Sequence, residues 1–91
     1  MAVAQSENGD IEGTLREVLA EILGLDPAQV AGFEDATPLF GALPEFDSLA
    51  VAGLLTELEE RLGILIEDHE VDAEMMETFG ALLSFARAKA A

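Results

Sequence analysis

The chain has 91 residues, 51% of them hydrophobic, and 19 acidic side chains against 4 basic ones give it a formal net charge of −15. This length fits one domain, and the apolar content argues against intrinsic disorder. The charge would repel nucleic acids and anionic membrane surfaces, the lack of cysteine excludes disulfides, and no apolar run is long enough to span a bilayer.

The first ten residues are small and polar, without the basic and hydrophobic regions of a secretory signal. We therefore expect a flexible N-terminal segment over residues 1–10 and a folded domain over residues 11–91. A cytoplasmic protein without membrane insertion is the corresponding expectation for its location.

Apolar residues at helical spacing predict a first helix that begins near Ile11. Asp10 is a candidate N-cap, and Gly24 is a candidate C-cap because glycine readily adopts the left-handed conformation. The apolar face of this helix consists of Ile11, Leu15, Val18, Leu19 and Ile22.

A long connection follows over residues 25–46, and Pro27, Pro38 and Pro44 prevent a long helix there. Structureless loops of this length are uncommon in compact domains, so we expect its apolar side chains to be pinned across a helical core. One short helical turn is expected over residues 26–30. The apolar side chains are those of Leu25, Val30, Phe33, Leu39, Phe40 and Leu43.

The second half of the chain is also helical in pattern, with a helix over residues 48–62 that Gly63 ends. A short turn is expected over residues 71–76, and Thr78 is the expected N-cap of a last helix. The apolar face predicted for the helix at 48–62 consists of Leu49, Ala52, Leu55, Leu58 and Leu62. Because no run alternates like a strand, the predicted fold is all-α: a small bundle of three main helices and one short helix, with a long loop between the first two.

Reactive side chains are scarce, and this argues against an enzyme. His69 is the single histidine, and no spacing rule connects it with Ser48, so a solvated loop histidine is expected. The acidic stretch at residues 67–74 lacks the alternating acids and the central glycine of an EF-hand loop. We therefore expect neither a catalytic site nor a dedicated metal site.

Ser48 is the most informative side chain, because it places a hydroxyl at the start of an apolar helix. A helix N-terminus offers unpaired N–H groups and a partial positive charge, which suit a phosphoester. Asp47 can accept a backbone N–H as N-cap. Taken alone, these two residues fit a simple capping pair as well as an attachment site.

The residues downstream distinguish these interpretations. Asp47-Ser48-Leu49, followed by Leu58-Glu59-Glu60 and then Gly63-Ile64, resembles the signature of the acyl carrier protein family. The resemblance includes Thr37-Pro38-Leu39-Phe40 before the serine and residues 78–82 at the last helix. It covers roughly residues 11–88.

The resemblance implies a non-catalytic carrier. A phosphopantetheinyl transferase would attach 4′-phosphopantetheine from coenzyme A to the Ser48 hydroxyl, and Asp47 would help to position the metal and coenzyme A in that complex. Acyl groups would be held as thioesters on the thiol of the arm and passed to acyl-loading and acyl-transfer enzymes. The carrier is expected to be a monomer.

The surface around Ser48 departs from the family pattern. Glu45 stands where a glycine is usual, and residues 50–53 read Ala-Val-Ala-Gly where fatty-acid carriers usually have acids. We therefore expect a specialised pathway, such as polyketide, peptide, modified-lipid or exopolysaccharide-associated acyl transfer. The predicted docking face consists of Phe46, Leu49, Val51, Glu57, Glu59 and Glu60. Any cavity that shelters an acyl chain would be bounded by Val18, Leu19, Leu55, Leu58, Phe79 and Leu83.

Two alternatives stay open at this point. One is a carrier of aminoacyl or peptidyl groups, which the sparse charge at residues 50–53 also fits. The other is an unmodified acidic helical adaptor that binds its partners directly.

The excess of acidic residues gives a first testable prediction. Self-repulsion destabilises the compact state, and salt screens it. We expect the melting temperature, followed by circular dichroism, to rise as NaCl or Mg²⁺ is increased from low to moderate ionic strength. A melting temperature that does not change over this range would contradict the prediction.

Overall fold

The computed structural model describes residues 10–90. This part of the chain forms four α-helices, which are α1 (Ile11–Leu23), α2 (Pro27–Ala31), α3 (Ser48–Leu62) and α4 (Phe79–Ala90). Two 3₁₀ turns lie between α3 and α4, at Asp68–Glu70 and Glu74–Met76. Residues 10–90 contain no strand beyond an isolated bridge between Pro38 and Thr78. The all-α prediction is confirmed, whereas the flexible segment proposed for residues 1–10 lies outside the described residues except for Asp10.

Most of the helix ends lie where the sequence places them. Gly24 and Gly63 adopt φ values of 68° and 66°, and their N–H groups donate to the carbonyls of Ala20 and Glu59. The Thr78 hydroxyl accepts the N–H of Ala81 at 3.1 Å. Asp10 directly precedes α1, as expected, but it does not act as a side-chain cap. Its φ of −115° and ψ of 23° lie outside the extended region typical of a cap, and its carboxylate accepts no capping hydrogen bond.

The core forms where α1 packs against α2, α3 and α4. The connection between α2 and α3 contributes buried side chains to it, as the sequence predicts, and residues 26–30 fall within the short helix and its cap. The buried residues are Ile11, Leu15, Val18, Leu19, Leu23, Leu25, Val30, Phe33, Leu39, Phe46, Leu54, Leu58, Met75, Met76, Phe79, Leu82, Leu83 and Ala86.

The predicted apolar face of α3 is wrong by part of a turn. Leu54 and Leu58 are fully buried, whereas Leu49 is 83% exposed. At about 100° per residue, Leu49 lies roughly 140° around the helix from Leu54, so both cannot face the core. Ala52 is exposed as well, and Leu55 is half-buried.

Arg16 joins three parts of the fold. Its guanidinium donates to the carbonyl of Val30 at 2.7 Å and to that of Phe33 at 3.1 Å, pairs with Glu12 one turn earlier, and lies 4.5 Å from the centroid of the Phe79 ring. It thereby connects α1, the start of the long connection and α4. The Val30 carbonyl also accepts the Phe33 N–H at 3.0 Å, so the arginine adds charged hydrogen bonds where the chain leaves α2 and thereby stabilises the path of the connection.

We predict that Arg16→Ala lowers the free energy of unfolding by roughly 2 kcal/mol, the range for hydrogen bonds to a charged group. Urea unfolding followed by circular dichroism measures the change. Arg87→Ala is the matched control, because Arg87 also pairs with Glu12 but is 57% exposed, and it should cost under about 1 kcal/mol. Equal losses in the two variants would contradict the role given to Arg16.

Candidate functional site

Ser48 is the first residue of α3 and is exposed. Asp47 precedes it in an extended conformation, and its carboxylate accepts the N–H of Ala50 at 2.9 Å. Asp47 therefore performs the capping, and the Ser48 hydroxyl is not needed to hold the helix end. The hydroxyl lies in solvent at the positive end of the α3 dipole.

The loop before Ser48 is fixed to the rest of the fold by its main chain. The N–H groups of Leu39 and Phe40 donate to the carbonyls of Glu77 and Met76 at 2.8 and 3.0 Å. Gly41 then reverses the chain at a φ of 90°, which favours glycine because it has no Cβ. This arrangement brings the loop back to the start of α3, so a segment near the C-terminal part of the chain determines where Ser48 lies.

Phe46 anchors the end of this loop. Its side chain is only 3% exposed, and its ring packs edge to face against Phe40 with centroids 5.8 Å apart. The expectation that Phe46 belongs to a docking face is therefore wrong, because a buried ring offers a partner no surface. Its apolar character reflects core packing directly before the helix start.

The other five residues of the expected docking face differ in exposure and in whether their side chains are already bonded within the protein. Leu49 and Glu60 are exposed, and Val51 is half-buried. Glu57 pairs with Arg61 at 3.0 Å, and Glu59 accepts the N–H of Ile66 at 2.8 Å. Two of the three carboxylates are therefore engaged within the protein. Beyond Ser48, the exposed residues of α3 form a stripe of Leu49, Ala52, Thr56 and Glu60.

Three open grooves meet at Ser48. The loop groove, of about 470 Å³, lies along residues 40–47. The lower groove, of about 500 Å³, lies between α3 and residues 66–71. The upper groove, of about 260 Å³, is lined with Ser48 by Phe40, Val51, Val71, Asp72, Ala73 and Met76.

Acidic residues of loops and 3₁₀ turns line these grooves, together with Glu59 of α3. Asp68 and Asp72 line the lower and upper grooves beside Ser48. The adjacent Glu70 is bound by Lys89 of α4 at 2.8 Å, and this hydrogen bond, together with one from the Glu67 N–H, holds the pKa of Glu70 below its usual range. The segment that forms one wall of the grooves is thus held to α4.

In the described part of the chain, no group of side chains is arranged as a catalytic or metal-binding site. His69 is exposed in the first 3₁₀ turn. Among residues 10–90, no three His, Asp or Glu side chains are placed so as to hold a metal ion.

The sequence pointed to Asp47 and Ser48 as site residues, but it did not predict which distant residues line the grooves beside them. Val71 and Met76 stand more than twenty residues from Ser48 along the chain, and the sequence predicted only a short turn there. No local pattern relates them to the serine, because their proximity follows from how the 3₁₀ segment packs across α3.

The geometry around Ser48 fits a phosphoester-linked prosthetic group. The hydroxyl is exposed, its helix N-terminus stabilises negative charge, and open grooves lead away from it. An enclosed catalytic pocket would need the opposite arrangement, with reactive groups converging in a site that excludes water.

Two comparisons with known proteins agree with this geometry. The phosphopantetheine attachment site family matches residues 13–85. The solution NMR structure of a holo acyl carrier protein from Nitrosomonas europaea has a TM-score of 0.77 and 32% sequence identity, covering 88% of this chain and 94% of that chain.

The Asp47 cap gives a prediction that separates capping from charge. Asp47→Ala should lower the free energy of unfolding by about 1 kcal/mol, whereas Asp47→Asn should be nearly neutral because asparagine caps equally well. Urea unfolding of both variants makes the comparison. A loss in Asp47→Asn as large as in Asp47→Ala would show that the carboxylate acts through its charge instead.

Proposed function

Because the chain belongs to the acyl carrier protein family, we propose that Ser48 is the residue to which its 4′-phosphopantetheine arm is attached. The chain is a carrier rather than a catalyst, and it holds acyl groups as thioesters on that arm. The observation that supports Ser48 is the exposure of its hydroxyl at the N-terminus of α3, with the capping role taken by Asp47. The arm supplies the thiol that a cysteine-free chain lacks.

Attachment requires Ser48 to act as a nucleophile toward coenzyme A. Its Oγ forms a bond to the β-phosphorus while the bond from that phosphorus to the bridging oxygen breaks. Adenosine 3′,5′-bisphosphate leaves, and the hydroxyl proton passes to a base of the transferase or to solvent. A carboxylate has several acceptor positions, so Asp47 could cap α3 and also help to hold a metal ion in the transferase complex.

The partners of such a carrier are a phosphopantetheinyl transferase and the enzymes that load and remove acyl groups. We place their docking surface on the exposed stripe of Leu49, Ala52, Thr56 and Glu60, beside Ser48. The first turns of this stripe carry no charge, which favours partners that recognise an apolar surface and supports a specialised pathway.

The location and oligomeric state of the protein stay predictions. Within residues 10–90, no helix combines the length and apolar character needed to cross a membrane. A monomer in the cytoplasm is the arrangement that the sequence leads us to expect.

Attachment is tested by intact mass spectrometry after incubation with coenzyme A, Mg²⁺ and a transferase of broad specificity. We expect the wild-type chain to gain the mass of one phosphopantetheine and Ser48→Ala to gain none. Ser84→Ala is the matched control, because Ser84 is an exposed serine on α4, and it should be modified like the wild type.

Two results would overturn the proposed attachment at Ser48. Failure of the folded wild-type chain to gain mass with several transferases would favour the unmodified adaptor. Modification of Ser48→Ala would place the arm on another residue.

A further inference from the structure

Phe40 forms a wall of two of the grooves that meet at Ser48. Its ring lines both the loop groove and the upper groove, and Ser48 lies in each of them. The Phe40 side chain is 36% exposed, so part of its ring faces solvent beside the serine. Folding therefore leaves this aromatic residue partly accessible in the same two grooves that Ser48 lines.

The position of the ring is determined by its neighbours. The Phe40 N–H is held by the Met76 carbonyl at 3.0 Å, and the Phe46 ring packs against the Phe40 ring at an interplanar angle of 89°. Met76, which supplies that carbonyl, is itself buried and lines the upper groove. Phe40 is therefore a fixed apolar wall rather than a side chain free to move into solvent.

The chemistry of the arm matches this wall. In 4′-phosphopantetheine, the first group beyond the phosphate is a methylene followed by a carbon that bears two methyl groups, and the amides and the thiol come later. An apolar group held close to Ser48 loses contact with water if it packs against an apolar surface. The exposed part of Phe40 and the side chains of Val51 and Val71 offer such a surface.

Of the two grooves that Phe40 borders, the upper one suits the methyl groups better. Its walls are mainly apolar side chains, namely Val51, Val71, Ala73 and Met76, and the Asp72 carboxylate is engaged by the Met75 N–H at 2.9 Å. The loop groove, by contrast, is bordered by the exposed Asp47, and a larger share of its surface is polar. A charged carboxylate favours water over methyl groups beside it.

From this arrangement we infer that Phe40 is a positioning residue for the prosthetic arm, and that the exposed part of its ring holds the two methyl groups of the arm in the upper groove beside Ser48. This inference rests on the proposed attachment at Ser48. In this role Phe40 does more than pack against Phe46, because its ring sets the direction in which the arm leaves α3.

The test uses NMR of the holo protein with a ¹³C-labelled arm. Methyl groups that pack on the face of an aromatic ring resonate upfield, so we expect both arm methyls to be shifted upfield of free phosphopantetheine and to show NOEs to the Phe40 ring protons. In holo Phe40→Ala this upfield shift should be lost. In holo Phe40→Leu, NOEs between the arm methyls and Val51 should persist without the ring-induced shift.

Leu65→Ala is the matched control, since Leu65 is a 67% exposed apolar residue beyond the far end of α3. The fifteen residues of α3 span about 22 Å, so this change should leave the arm methyl shifts as they are in the wild type. Amide spectra of each variant report whether it is folded. If Phe40→Ala does not fold, the NOEs of the wild type and the shifts of Phe40→Leu decide the outcome.

The possible failures are distinguishable. Arm methyls of the wild-type holo protein that resonate as in the free compound, or that stay upfield in folded Phe40→Ala, would overturn the role of Phe40 while leaving the attachment at Ser48 intact. Absence of any mass gain at Ser48 would instead refute the proposed function on which this inference rests.

Discussion

The packing of the connection between α2 and α3 across the core is the constraint on which the rest of the structure depends. This connection contributes Phe33, Leu39 and Phe46 to the interior, and Arg16 binds main-chain carbonyls at its start. Near its end, Leu39 donates to the carbonyl of Glu77 in the segment before α4. Without these contacts, a run of over fifteen residues with little regular structure would have no fixed path, and neither would the start of α3.

The same constraint shapes the proposed attachment site. Burial of Phe46 fixes the residue before Asp47, Asp47 caps α3, and the Ser48 hydroxyl is left exposed at the positive helix end. Because Asp47 caps the helix, the adjacent Ser48 hydroxyl stays accessible without weakening the helix end. The chain needs no catalytic group of its own, because the transferase and the acyl-handling enzymes supply the chemistry.

Charge is distributed in a way that suits this role. All four basic residues, Arg16, Arg61, Arg87 and Lys89, pair with carboxylates of the protein itself. Arg61 connects α3 with α1, and Lys89 connects α4 with the 3₁₀ segment beside Ser48. The cations thereby offset part of the acidic self-repulsion within the fold, while the exposed stripe on α3 stays neutral until Glu60.

Sequence alone determined the helices, the glycines that end them, the Asp47 cap and the position of Ser48 at the start of α3. These features follow from helical periodicity, glycine conformation and capping, which are local properties of neighbouring residues. The sequence pattern grouped Leu49 with the buried Leu58 on one apolar face of α3 although it also assigned Leu49 to the docking face, since an apolar stripe wider than the buried face leaves the rotation of the helix open. It also took Phe46 for a surface residue. Only the tertiary structure decided which apolar residues are buried and that Phe40 and Met76 lie beside Ser48, because those contacts join segments distant along the chain and depend on how the connection packs across α1 and α4.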